Sequence, residues 1–371
     1  MKLRYPQDIG SEIAGSFGDL GTLLPYVIGA ITFASLNVTS VFFAFGLMYL
    51  FTAWFYRIPI PVQPMKVIGA AIIVQNLTAG EIAASGILMG VILLIIALTG
   101  LIDNISKLTP KSVTMGIQAG LGISLALLGV KMIKSDWILG IIVMAAMLLF
   151  LNSRRFPAAI IALFGGTALA FGLHPELSFP SLHWGISVPH LVIPTWHDYY
   201  RGFFQGCLPQ LPLTLTNSVL VTTVLAHQLF PQSSEKVTDK NLCLTLGVGN
   251  LMGAPLGMMP VCHGSGGLAA HYRFGARTGY STAFIGILFL LMGVFLGSSG
   301  LQLMKIIPQA VLGGMLFYSG VDLIRPIKVK DNNEIFVFAV VIILSVALNP
   351  GIGFLAGVPL WFLLKKGWIA I

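Results

Sequence analysis

The sequence predicts an all-α integral membrane protein of about fourteen membrane segments, arranged as two seven-segment halves of opposite orientation. Three observations predict it. Only 9% of the 371 residues are charged and 56% are hydrophobic, with a mean hydropathy of +0.90; a water-facing protein carries about 25% charged residues. Charge-free apolar runs recur at Met89–Ile102, Ile138–Leu151, Thr282–Gly297 and Ile335–Leu348, and a bilayer core takes roughly 20 apolar residues per helix. Motifs also repeat at a spacing of 198 residues. This composition excludes nucleic-acid binding and secreted disulfide scaffolds. The net charge of +8 reads as topology, and Cys207, Cys243 and Cys262 lack any metal-ligand spacing.

Segments are expected near residues 13–33, 37–57, 63–78, 82–102, 110–130, 136–151, 156–172, 201–227, 241–257, 262–272, 280–298, 302–324, 334–348 and 352–368. Those at 63–78 and 262–272 open on proline and small residues and are too short to cross about 30 Å of hydrocarbon. They read as two half-helices meeting at the midplane. The polar start, Met1 to Asp8, leads into a full-length span, so no cleaved signal peptide is expected.

Charge orients these segments. With the N-terminus inside, sixteen cations fall in inner loops, among them Arg57, Lys107, Arg154, Arg155, Lys236, Arg273, Arg325 and Lys365. Only Lys131, Lys134, Arg201 and Lys305 fall outside, and Lys66 lies within a segment. That is a strong positive-inside bias, with both termini cytoplasmic.

The repeat gives the halves. Leu108-Thr109-Pro110 returns as Ile306-Ile307-Pro308, Asp19 falls on Asn217, and Pro61-Val62-Gln63-Pro64 falls one residue from Pro260-Val261-Cys262-His263. A spacing of seven segments, an odd number, inverts one half against the other, as in many secondary transporters with a midplane site. The halves are 1–198 and 199–371.

Four motifs carry possible chemistry. In Pro59-Ile60-Pro61-Val62-Gln63-Pro64-Met65-Lys66 the prolines forbid a regular helix, and irregular backbone at membrane depth lines a cavity or is buried in protein. A helix starting at Gln63 or Pro64 aims its first amides at an anion, with Lys66 in its first turn. The competing reading is a kinked helix whose lysine snorkels. Its mate, Met259-Pro260-Val261-Cys262-His263-Gly264-Ser265-Gly266-Gly267, offers a second helix start. There His263 can donate to an oxyanion or carry a proton. Packed glycines are the bland alternative. Asp19, in Gly18-Asp19-Leu20-Gly21-Thr22, is an intramembrane carboxylate suited to coupling, or to an ion pair with Lys66. Gln210, Thr214 and Asn217 recur at helical spacing toward the substrate, with interhelical polar bonding as the competitor. Glu12, Gln118, Asp322 and Arg325 read as structural, and His271, Arg273 and Arg277 as anchors of a cytoplasmic helix end. No catalytic constellation, P-loop or metal cluster occurs in the sequence, so no enzyme activity and no cofactor are expected.

These motifs resemble the molybdate transporter family, a branch of the SulP sulfate-permease superfamily. The resemblance rests on Phe17–Thr22, Pro61–Lys66, Pro209–Thr214 with Asn217-Ser218, and Met259–Gly267 followed by Tyr272–Arg277. It implies the inverted repeat shared with nucleobase permeases, with a core domain (10–105 and 200–298) and a gate domain (106–199 and 299–371). It puts the oxyanion between Gln63, Pro64, Met65 and Lys66 on one side and Cys262, His263, Gly264, Ser265 and Gly266 on the other, flanked by Asp19 and Asn217. The cytoplasmic C-terminal domain of many superfamily members is not expected here. The function expected is import of molybdate, with sulfate next, coupled to protons, in a bacterial or archaeal cytoplasmic membrane, by a homodimer embedded in the lipid bilayer. A proton symporter for an organic anion or nucleobase, and an uncoupled anion channel, are the alternatives.

Overall fold

A computed structural model describes residues 8–101, 110–150, 158–175, 179, 181 and 183–369. Lys107, Arg154, Arg155 and both extreme termini, which entered the charge count, lie outside these residues. The regular structure of the described chain is helical except for one two-residue ribbon.

In chain order the first half contains α1 (Ile9–Ser16), α2 (Leu20–Ala34), α3 (Val38–Tyr56), β1 (Gln63–Pro64), α4 (Lys66–Gln75), α5 (Ala79–Thr99), α6 (Lys111–Ile133), α7 (Trp137–Phe150) and α8 (Ala158–Leu173). The second half contains α9 (Trp196–Leu229), α10 (Asp239–Gly253), β2 (Val261–Cys262), α11 (Ser265–Arg273), α12 (Gly279–Ile306), α13 (Gln309–Ile324), α14 (Asn332–Ala347) and α15 (Pro350–Lys365). Among the described residues, six spans are long and apolar enough to cross a membrane: Ile9–Ala34, α3, α5, α6, α9 and Gly279–Gly297 of α12. Shorter apolar helices of 10–17 residues accompany them, α4 included.

Local chemistry sets the element ends. Thr78 and Glu81 form a capping box at the start of α5, and Gly100 closes that helix at φ 70°. Asn37, Thr238, Asp331 and Asn349 cap α3, α10, α14 and α15 through their side chains. The first expected span departs from a single helix. It breaks at Phe17–Asp19, where the Phe17 and Gly18 amides fall back on carbonyls three residues earlier. That break is what sets Asp19 beside the ribbon.

Packing pairs α3 with α12, α5 with α10, and α6 with both α13 and α14. The α6–α13 crossing is close because a Cβ on Gly320 would lie 2.3 Å from the Gly122 carbonyl oxygen, the small-residue contact by which membrane helices approach. Between these pairs, Ile58, Ile60, Val62 and Met65 are fully buried around the first strand.

The ribbon joins the halves. β1 pairs antiparallel with β2, Gln63 opposite Cys262 and Pro64 opposite Val261. Pro64 lacks an amide hydrogen and cannot donate to the ladder; beyond it Met65 N–H bonds the Pro260 carbonyl at 2.8 Å. Buried Asn250 holds β2 from behind. Its Oδ1 accepts from Val261 N–H at 2.8 Å, and its Nδ2 donates to the Val261 and Leu246 carbonyls at 2.9 and 2.8 Å. Asn250→Ala orphans both buried polar groups of Val261, at a cost of about 1–3 kcal/mol each. We expect an apparent Tm in detergent lower by about 5 °C or more; an unchanged Tm would mean that β2 holds its place without this amide.

Candidate functional site

Two helices begin directly beyond the ribbon and point their amino ends at one region. α4 starts at Lys66 after Met65, and α11 at Ser265 after Gly264; neither has a side-chain N-cap of its own. The two helix starts differ in how they are satisfied. Val67 N–H donates to Gln210 Oε1 at 2.8 Å, so a side chain from α9 caps α4. Gln210 Nε2 in turn donates to Thr214 Oγ1 at 2.9 Å. Gln210 is buried and turned to that helix end, which removes it from the substrate-facing role that its spacing suggests.

α9 also departs from regular geometry. It carries π-helical stretches at Gly202–Cys207 and Thr214–Val221, around Pro209 and Pro212, which cannot donate backbone hydrogen bonds. The second stretch sets Asn217 against the other helix start, where its Oδ1 accepts from Ser265 Oγ at 2.6 Å. Residues expected on one face thus serve both helix starts, Gln210 at α4 and Asn217 at α11.

Asp19 meets Gln63 and Thr22, not Lys66. Gln63 Nε2 donates to Asp19 Oδ1 and, at 2.7 Å, to Thr22 Oγ1. Thr22 Oγ1 bonds the same carboxylate oxygen at 2.5 Å. Asp19 is 2% exposed, and its Oδ2 has no hydrogen-bond partner. Gly267 has to be glycine here, since a Cβ on it would lie 2.8 Å from both Asp19 Oδ2 and Gln63 Nε2. Lys66 finds a different acid: its Nζ is 3.7 Å from Asp322 Oδ2 on α13. The expected Asp19–Lys66 ion pair is therefore corrected, because Gln63 lies alongside the carboxylate and takes its Oδ1.

His263 is also corrected. Its Nδ1 donates to the Pro61 carbonyl at 2.8 Å, and its Nε2 bonds Thr245 Oγ1 at 3.0 Å, with Tyr56 behind. The ring is fully buried and ties the two proline motifs together; no nitrogen is left for an oxyanion or a transferable proton. Cys262 is buried as well, its thiol 3.8 Å from the Pro64 carbonyl. Pro64 and Met65 are buried parts of the ribbon.

Open space lies to one side. A cavity of about 310 Å³ is bounded by Gly21, Thr22 and Tyr26 of α2, Gly266 and Arg273 of α11, and Tyr318, Ser319 and Asp322 of α13. A Cβ on Gly266 would meet nothing within 4 Å, so the α11 amino end opens into this space. Tyr26 and Tyr318 both border it, and both phenol oxygens are buried without a partner. Tyr26, Tyr318 and Asp322 did not figure among the expected site residues; the tyrosines give no local signal, and Asp322 reads as structural, although an acid in an apolar segment is the signal that could have found it. Asn217 borders a second cavity of about 610 Å³ on the other side, with Gln118, Thr216 and Lys365.

Of the expected anchors Arg273 borders the first cavity, whereas His271 and Arg277, with Glu12, lie apart from it. Glu12 Oε1 accepts from Arg277 N–H at 3.1 Å and Thr278 Oγ1 at 2.9 Å, and His271 Nδ1 bonds the Gly15 carbonyl at 2.8 Å. They fasten α1 to α11 and to the turn before α12.

Comparison with known proteins gives this arrangement a family. The family described as "Molybdate transporter of MFS superfamily" matches residues 11–125 and 202–323, which contain both proline motifs, Asp19, Gln210, Asn217 and Asp322. Molybdate transporter 2 of Arabidopsis thaliana is 31% identical over 98% of this chain and 89% of its own. Molybdate transporter 1 of Chlamydomonas reinhardtii is 27% identical over 94% of this chain and 90% of its own. The fold is like that of the transmembrane domain of the cyanobacterial bicarbonate transporter BicA, with a TM-score of 0.71 at 19% identity over 94% of this chain and 98% of that one. The two relatives come from a plant and an alga, so the expected bacterial or archaeal membrane draws no support from them. The chain is an integral membrane protein and belongs to the molybdate transporter family, a family of transporters rather than of enzymes.

Proposed function

We propose that the protein imports a tetrahedral oxyanion, molybdate ahead of sulfate, by proton-coupled secondary transport. One observation carries the reading. The uncapped amino end of α11 opens at Gly266 into a cavity bordered by Thr22, Arg273 and Asp322, and Lys66, outside the lining, pairs with that Asp322. A dianion with four acceptor oxygens suits these groups: the helix amides, the Thr22 hydroxyl and the ammonium that Asp322 holds. The site residues are then Gly266 and Ser265 of α11, Lys66, Thr22, Tyr26 and Tyr318. Gln63, Pro64, Met65, Cys262, His263 and Gly264 form the scaffold, and Gln210, Thr214 and Asn217 set the two helix starts. Asp19 is the coupling group.

The movement is that of a core (10–105 and 200–298) against a gate (106–199 and 299–371), within fourteen segments forming an inverted repeat of 1–198 and 199–371. The packing supports the repeat: exchanging the halves turns the α3–α12 pair into the α10–α5 pair and returns the α6–α13 pair and the ribbon to themselves. Both termini lie on the cytoplasmic side in this reading, and the transporter works as a homodimer.

Uptake of labelled molybdate into proteoliposomes, with and without an inward proton gradient, tests the substrate. Saturable, gradient-stimulated uptake blocked by unlabelled molybdate or sulfate is expected. Transport of benzoate or uracil in its place would overturn the substrate, and non-saturating flux without a gradient would make the protein a channel. Gly266→Val gives a local test. Its side chain enters open space, so Tm should hold while molybdate affinity falls about tenfold; unchanged affinity would move the anion away from α11.

A further inference from the structure

An acid bordering an anion's cavity is an anomaly. Asp322 lines the same space as Gly266, Tyr26 and Tyr318, and half of its side chain is exposed there. A carboxylate at that point repels a dianion unless it has another task. Its neighbour supplies one: Lys66 Nζ, 3.7 Å away and about one-quarter exposed. The two sit on different helices that share neighbours, since α4 and α13 both pack on α6 and on α2. Lys66 opens α4, next to the ribbon, whereas Asp322 sits near the end of α13, which packs on α6. The other charged residue bordering the cavity is Arg273 on α11; Asp19 lies buried behind Thr22, outside the lining, where Gln63 and Thr22 occupy it.

We infer that Asp322 is the internal counter-ion of the unloaded carrier, holding Lys66 when the cavity is empty and giving it up to the incoming oxyanion. The inference rests on the anion-transport reading above. Its physical content is charge balance: an intramembrane ammonium is costly unless paired, and the pair lets the unloaded site move without a bare charge. When the dianion arrives, it takes over the ammonium and the carboxylate swings into the half-open space it already borders. Asp322 is thus a positioning residue, acting on the substrate through Lys66, and it sets affinity from the opposite side to the binding groups.

Asp322→Asn tests this directly. The variant removes both the competitor for Lys66 and the repulsion of the anion, so labelled molybdate should bind the purified protein about tenfold more tightly. Molybdate–molybdate exchange in proteoliposomes should persist, because in the loaded carrier the anion itself pairs Lys66. Net uptake should fall at least tenfold, because the unloaded carrier must return with an unpaired lysine. Asp322→Glu should restore affinity toward wild type. A merely structural acid would give weaker binding and equal losses in exchange and net uptake. Unchanged or weaker binding by Asp322→Asn, or parallel loss of exchange and net flux, overturns the inference. If wild type and Asp322→Asn both fail to bind molybdate and sulfate, the anion-transport reading itself has failed.

Discussion

Lys66→Ala is expected to weaken molybdate binding about 100-fold. An ammonium near a dianion in a partly shielded cavity contributes on the order of 3 kcal/mol, the equivalent of two decades in Kd. The change also leaves the Asp322 carboxylate, 3.7 Å from Lys66 Nζ in the intact protein, facing the anion with no opposite charge. Lys365→Ala is the control. That lysine lies over the Trp361 ring at the second cavity, away from Gly266, and its removal should leave affinity unchanged. Equal binding by wild type and Lys66→Ala, measured by equilibrium binding in detergent, would take lysine out of the site.

Asp19→Asn is expected to abolish proton-driven accumulation, with stimulation by an inward gradient falling at least tenfold, while anion exchange survives. Asp19 Oδ1 already accepts from Gln63 and Thr22, whereas the buried Oδ2 has no partner. A proton can therefore come and go on Oδ2 without breaking a hydrogen bond. Asparagine keeps the shape and the Oδ1 acceptor but cannot carry the proton. Comparing gradient-driven uptake with exchange in the same vesicles separates coupling from binding. Full gradient stimulation in Asp19→Asn would eliminate Asp19 as the coupling group.

Local backbone chemistry made some of this legible in the sequence. Three prolines between Pro59 and Pro64 forbid a helix, and the Gly-rich run after His263 starts one, so the two short helices follow from residue types, whereas the ribbon that pairs them does not. The fit of Asp19 beside Gln63 was less legible, because it depends on the Phe17–Asp19 break and on Gly267 leaving room. Side-chain partners were the hard part. Gln210 looks substrate-facing by spacing, yet it caps α4 once α9 crosses that helix; the π-helical turn that re-aims Asn217 leaves no periodic trace. His263 carries the right chemistry for an oxyanion, but the Pro61 carbonyl and Thr245 take both nitrogens. Asp322 reads as merely structural in the sequence, and only the placement of α13 near the start of α4 supplies its partner.

The central claim is that an oxyanion sits between the α11 amino end and Lys66. Anomalous diffraction at the molybdenum edge, from crystals grown with molybdate, tests it most directly, because the metal reports its own position. The account predicts one strong peak in the cavity bordered by Gly266, Tyr26 and Tyr318, within about 4 Å of Lys66 Nζ, and lost in Lys66→Ala. A peak in the second cavity beside Asn217, or none at saturating molybdate, would contradict it.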